Sequence, residues 1–153
     1  MNNVLLIGSL ILALRILYSY LFPTMSADHQ LQAKDVTEIS RTGKFADRAM
    51  KIIDVRGPAE YAAGHVNHAL NVPVDQLEKA LQMKPADFEN EYKFALPPPD
   101  SKDGIVVYCQ RGGRAARAAA MLKNANYTDN LYIYSPGWSE YSTVGAAQDK
   151  AKV

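Results

Sequence analysis

Gly104-Ile105-Val106-Val107-Tyr108-Cys109-Gln110-Arg111-Gly112-Gly113-Arg114 is the stretch whose reading decides the fold. Its first five residues carry no charge, and four of them are β-branched or aromatic, the composition of a buried strand. Two glycines then allow a tight loop. From Arg114 to Asn124 the chain is Ala-rich and reads as a helix, with Asn124 or Asn126 near its C-cap. A strand, a loop and a helix in that order make one unit of an open α/β sheet. Ligands of such sheets bind beyond the carboxyl ends of the strands, and Cys109 sits at such an end.

The same alternation extends on both sides. Asp35 to Thr42 reads as a short helix, with Asp35 as N-cap and Gly43 as its stop. Met50 to Val55 is a buried strand ending in charge. Gly57-Pro58-Ala59-Glu60 turns into a short helical segment around Tyr61. Ala69 to Pro73 is a second short strand, Val74 to Met83 has a helical period, and Pro85 opens a helix to Tyr92. Leu96-Pro97-Pro98-Pro99-Asp100 is a stiff extended connector. Leu131 to Tyr134 is a last strand, followed by Pro136-Gly137-Trp138. Strands alternating with helices predict an α/β fold with a central, mostly parallel sheet flanked by helices.

The loop after Cys109 is where chemistry concentrates. Gly112 and Gly113 let backbone N–H groups point inward, and the loop empties into a helix N-terminus, which favours an anion. Arg111 and Arg114 add full positive charges. Each feature favours a thiolate over a thiol at Cys109, and the same cradle holds an anionic substrate beside the sulfur. A lone cysteine is more often a small buried hydrophobe than a nucleophile. Strand end, paired glycines, two arginines and helix start together reverse that balance here.

Cys109-Gln110-Arg111-Gly112-Gly113-Arg114 resembles the active-site loop of the rhodanese sulfurtransferases. Ile52-Ile53-Asp54-Val55-Arg56, Glu60-Tyr61, Gly64-His65-Val66 and Ala69-Leu70-Asn71-Val72-Pro73 match the family's upstream pattern in order, and Gly137-Trp138 resembles its C-terminal region. The resemblance runs from about Ala33 to Tyr141, and Pro85 to Pro99 is similar to the short single-domain eukaryotic members. It implies a rhodanese-like fold and a ping-pong sulfur transfer. In that reaction Cys109 takes sulfane sulfur from a donor such as thiosulfate, and glutathione, another thiol or cyanide removes it. No metal and no cofactor are implied. Gln110, Arg111, Gly112, Gly113 and Arg114 are implied to bind substrate, with Asp54 and Arg56 in support. Family loops of six residues from cysteine to arginine carry sulfur, and loops of seven belong to related phosphatases. Cys109 to Arg114 is six. A phosphatase or arsenate reductase, and a non-catalytic interaction or sulfur-relay module, are the alternatives.

The remaining singled-out residues have quieter expectations. Arg56 is expected to pair with Glu60, four residues on. His65 and His68 lack a third ligand for zinc. Trp138 is expected in the core, Arg117 as a solvated helix charge, and Tyr141 stands where many family members carry a second tryptophan. Arg114→Ala is expected to raise the apparent thiosulfate KM more than Arg111→Ala.

The chain has 153 residues, a net charge of +1 and one cysteine. An intrachain disulfide and a structural zinc site of several thiolates are therefore excluded. The near-zero charge speaks against a nucleic-acid partner. Val4 to Phe22 is apolar except at Gly8, Ser9, Arg15 and Ser19, and no acid precedes Asp28. As a helix it spans roughly 28 Å, one hydrocarbon thickness. An N-terminal apolar helix preceding the domain and meeting a membrane through residues 4–22 is the leading expectation. A cleaved signal or mitochondrial presequence and a packed helix are its rivals. Lys34 and Arg41 after the segment would leave the domain facing a reducing compartment. A start at Met25 would give a cytosolic form. The expected division is 1–27 anchor or targeting segment and linker, 33–147 domain, and 148–153 flexible tail.

Overall fold

In the computed structural model of the chain, residues 29–145 are described. The apolar helix expected at residues 4–22 and the tail expected at 148–153 lie outside the described residues. Among the described residues no helix is long and apolar enough to cross a membrane.

The elements run β1 (His29–Gln30), α1 (Ala33–Thr42), β2 (Lys44–Phe45), β3 (Arg48–Asp54), α2 (Pro58–Ala63), β4 (Leu70–Asn71) and α3 (Val74–Leu81). They continue as α4 (Pro85–Tyr92), β5 (Gly104–Tyr108), α5 (Gly113–Asn124), β6 (Leu131–Tyr134) and α6 (Gly137–Glu140), closed by a π-helical turn at Tyr141–Gly145. The sheet order is β1-β6-β5-β3-β2, with β4 also on β3. β1, β6, β5, β3 and β4 pair in parallel, and β2 is antiparallel to β3. The expected mostly parallel sheet flanked by helices is present, as a mixed sheet.

Side-chain alternation along β5 divides the core in two. Ile105, Val107 and Cys109 face α3, α4 and α5, with Leu77, Phe88, Ala115 and Leu122 in one buried cluster. Val106 and Tyr108 face the other way, toward Val36 and Ile39 of α1 and the buried Tyr141. All five residues of β5 are buried, as a central parallel strand requires. β1 runs parallel to β6, with His29 opposite Tyr132, so the chain enters the sheet from the end opposite Cys109.

Three local details differ from expectation. Asp35 is not the N-cap of α1. The cap is Gln32, and Asp35 reaches back from the first turn to accept its N–H at 2.9 Å, while Gly43 stops the helix as expected. β1 was not foreseen, because two exposed residues show no periodicity. Nor was β2, which reaches β3 through a two-residue turn at Ala46 and Asp47, with φ of 47° and 64°. Positive φ at both centres is the hairpin geometry that Asn-Gly ordinarily signals. The double change Ala46→Asn, Asp47→Gly is expected to stabilise the domain by about 1 kcal/mol. Urea denaturation reads it, and a lower midpoint in the variant would show that the turn carries no strain.

Candidate active site

Cys109 leaves the end of β5 on the α5 side of the sheet and is 2% exposed. Its Sγ accepts the Gly112 N–H at 3.1 Å. The loop holds this shape because its first two carbonyls are turned backward. The Cys109 carbonyl accepts from Trp138 N–H at 2.8 Å, and the Gln110 carbonyl accepts from the N–H and hydroxyl of Ser139 at 3.2 and 2.9 Å. Gly112 caps α5 with φ of +93°, and a methyl there would lie 2.8 Å from the Ser135 carbonyl oxygen. The positive end of the α5 dipole therefore opens beside the sulfur. Of the two glycines in the loop, Gly112 has the left-handed backbone and meets the sulfur, whereas Gly113 is the first residue of α5.

Asp54 and Arg56 lie on the other face of the sheet. Asp54 pairs with Tyr108 in register, and alternation sends both side chains away from the Cys109 side. Asp54 is fully buried and Arg56 is 2% exposed. Arg56 Nη2 donates to Asp54 Oδ2 at 2.6 Å, and Nε donates to both carboxylate oxygens at 3.0 Å. The Tyr108 hydroxyl donates to the same Oδ2 at 2.7 Å and accepts from Val66 N–H. Burial, then the Asp54 charge, pushes the Tyr108 hydroxyl far above its usual range, so it remains a donor. Arg56 also donates to the Gly64 carbonyl at 2.6 Å and to Gln110 Oε1 at 3.3 Å. Asn71 Nδ2 donates to the carbonyls of Asp54 and Arg56, both at 2.9 Å. The network thus joins β3, β4, β5, the Gly64 turn and the loop's Gln110.

The expected Arg56–Glu60 pair does not form. Arg56 precedes the Gly57 cap of α2, so the two residues share no helix face. Glu60 instead binds Arg114, with Nη1 to Oε2 at 2.5 Å and Nη2 to Oε1 at 2.8 Å. Both side chains are about one-third exposed, at 34% for Arg114 and 40% for Glu60. The Arg114 hydrogen bonds hold the Glu60 carboxyl at about 2, against a burial effect in the opposite sense. Glu60 is therefore ionised wherever a thiolate can form. Arg114 is held protonated first by Glu60, and the Cys109 and Asp54 charges add to the effect. Arg114 is thus within electrostatic reach of the sulfur.

Arg111 is exposed and forms no ion pair or hydrogen bond among the described residues. Arg117 is likewise an exposed position on α5. The His65 ring stacks on Tyr61 with centroids 3.8 Å apart, and its Nδ1 lies 2.9 Å from the Tyr61 carbonyl. Among the described residues no group of three or more His, Cys, Asp or Glu is placed to hold a metal. Trp138 is half-buried: its ring fills the space over Gly64, and the Arg56 guanidinium lies 5.2 Å from its centre. Tyr141 is buried at 2%, with its hydroxyl 3.3 Å from Ser40 Oγ, so it belongs to the α1 layer of the core. The residue that sequence reasoning missed is Glu60 as the partner of Arg114. They are 54 positions apart, and no local pattern links them.

Comparison with known proteins agrees with this geometry. A human thiosulfate:glutathione sulfurtransferase is 41% identical over 84 residues, which cover 55% of this chain and 72% of that protein. A mitochondrial thiosulfate sulfurtransferase of Saccharomyces cerevisiae is 30% identical over 101 residues, 66% of each chain. The solved structure of a human single-domain sulfurtransferase superposes with a TM-score of 0.65 at 29% identity, covering 76% of this chain and 96% of that one. The rhodanese-like domain family matches residues 33–143, most of the chain and all of the site just described, and the chain belongs to that family.

Proposed function

We propose that the chain is a sulfurtransferase that moves sulfane sulfur from thiosulfate, through a persulfide on Cys109, to glutathione, another thiol or cyanide. The carrying observation is the Gly112 N–H donated to Cys109 Sγ at 3.1 Å. A backbone donor aimed at the sulfur, at the positive end of a helix, stabilises negative charge there before and after transfer. Thiosulfate as donor and glutathione as acceptor follow the human relative, which is named for both.

The thiolate attacks the outer sulfur of thiosulfate. A new S–S bond forms on Cys109, the old S–S bond breaks, and its electron pair leaves with sulfite. An acceptor thiolate or cyanide then attacks the outer persulfide sulfur, and Cys109 departs again as thiolate. No electron is gained or lost overall, and no cofactor is needed. The chain has one cysteine, so no second thiol of its own can resolve the persulfide and an external acceptor completes the cycle. The six-residue span from Cys109 to Arg114 favours this reading over phosphatase chemistry. Residues 33–147 form the working domain, and residues 1–27 are its membrane anchor or targeting segment. A mitochondrial destination follows the yeast relative named for it.

The test is direct because there is one cysteine to label. Native protein incubated with thiosulfate and freed of excess is expected to gain the mass of one sulfur atom, and glutathione or cyanide to remove it at steady turnover. Denatured protein is expected to gain nothing. If native protein stays unlabelled, sulfur transfer from thiosulfate is excluded.

A further inference from the structure

We propose that Glu60 determines which arginine binds the sulfur donor: by claiming Arg114, it leaves Arg111 as the cation that takes the anion. This deepens, and rests on, the sulfur-transfer reading.

The site region holds three arginines and two carboxylates. Arg56 is consumed by Asp54, is 2% exposed and lies mainly behind the sheet. Arg114 spends both terminal nitrogens on Glu60 in a two-pronged pair. Glu60 is not a wandering surface acid. It is on the first turn of α2, where its Oε2 also accepts the Gly57 N–H at 3.2 Å. α2 is in turn fixed where Arg56 donates to the Gly64 carbonyl beyond its end. The carboxylate is therefore delivered to Arg114 by the fold, and the pair presents little net charge to an incoming anion. Arg111, between Cys109 and Arg114 in the same six-residue loop, has nothing opposite it. A doubly charged donor approaching a thiolate needs a cation, and of the two arginines in the loop Arg111 is the uncompensated one.

The arrangement also limits product retention. Thiosulfate and sulfite are both dianions, so a second uncovered arginine would hold the leaving sulfite as well as the donor. Binding substrate and product more tightly together lowers KM without raising turnover. Glu60 thus acts as a positioning and specificity residue through Arg114.

The experiment compares Arg111→Ala, Arg111→Lys, Arg114→Ala and Glu60→Gln in the full chain. Glutamine keeps one oxygen to accept from Gly57 N–H, removes the charge and replaces the other acceptor of Arg114 with an NH2 donor, and melting temperatures confirm that each variant folds. Arg111→Ala is expected to raise the thiosulfate KM about 10-fold, the cost of a lost charged hydrogen bond. Arg111→Lys is expected to restore most of that loss. Because Glu60 holds both terminal nitrogens of Arg114, the ranking expected from the sequence alone is reversed: Arg114→Ala is expected to change KM by less than about 3-fold, and Glu60→Gln to lower both KM and the sulfite inhibition constant by about 3-fold, the scale of a half-exposed pair. The same substitutions on a Cys109→Ser background are titrated with inorganic thiosulfate by calorimetry, which needs no turnover. Tighter binding without Glu60's charge and weaker binding without Arg111 support the proposal even if wild type proves unable to transfer sulfur. A larger loss from Arg114→Ala than from Arg111→Ala, or an unchanged affinity in Glu60→Gln, overturns it whether or not sulfur is transferred.

Discussion

Asp54→Ala is expected to destabilise the domain by about 3–5 kcal/mol, the cost of stranding one half of a buried ion pair. The carboxylate accepts from Arg56 Nε, Nη2 and backbone N–H and from the Tyr108 hydroxyl. Alanine removes every one of these acceptors at a fully buried position. The Arg56 charge is left with the Gly64 carbonyl, Gln110 Oε1 and the faces of Tyr108 and Trp138, none of them anionic. Domain stabilities are commonly 5–15 kcal/mol in total, so the loss is a large fraction of the whole. Asp54→Asn keeps the shape and one acceptor oxygen, and is expected to fall between alanine and wild type. Urea denaturation followed by circular dichroism measures both. A loss under about 1 kcal/mol for the alanine variant would mean that the buried charge pair is dispensable, in disagreement with its geometry.

Gly137→Ala is expected to lower kcat/KM about 100-fold, the scale of a misplacement of about 1 Å in a catalytic group. Gly137 has φ of +66°, and a methyl on it would overlap the Cys109 carbonyl oxygen and lie 2.8 Å from that of Gln110. Both obstacles are backbone, and neither can swing aside. The loop must move, and with it the Gly112 N–H that meets the sulfur. Sulfur loading from thiosulfate and the melting temperature are to be measured together. Loss of loading with most of the fold retained is the expected pattern. Turnover within about 3-fold of wild type would show that the turn at 137–139 does not hold the loop in register for reaction.

Much of this architecture was legible along the chain. β5, α5, β6, α4 and the glycine loop have strong local signals, and the structure places them within a residue or so of expectation. The motif also brought Asp54, Arg56 and Trp138 to the right neighbourhood. What was not legible is who pairs with whom. Arg56 and Glu60 are four apart, and a helical rule joined them. Yet Arg56 lies outside α2, two residues beyond the end of β3, and its backbone N–H and guanidinium both bind Asp54 on the face of the sheet away from Cys109. Glu60 was then left for a residue 54 positions away. The turn at Ala46 and Asp47 was hidden for another reason: its left-handed backbone is imposed by the pairing of β2 with β3, and neither residue type announces it. Asp35 read as a cap because it is acidic and opens a polar-to-apolar pattern, whereas Gln32 earlier in the chain holds that position.

The direction of β1 bears on how the molecule can be mounted. It enters alongside β6 travelling toward the catalytic rim, so a tether joined ahead of His29 pulls on the base of the sheet. Grafting to a bead, an electrode or a lipid film through that end would leave the sulfur loop looking outward into the bulk phase. A bulky acceptor, including a protein thiol, could then reach Cys109 without first displacing the support.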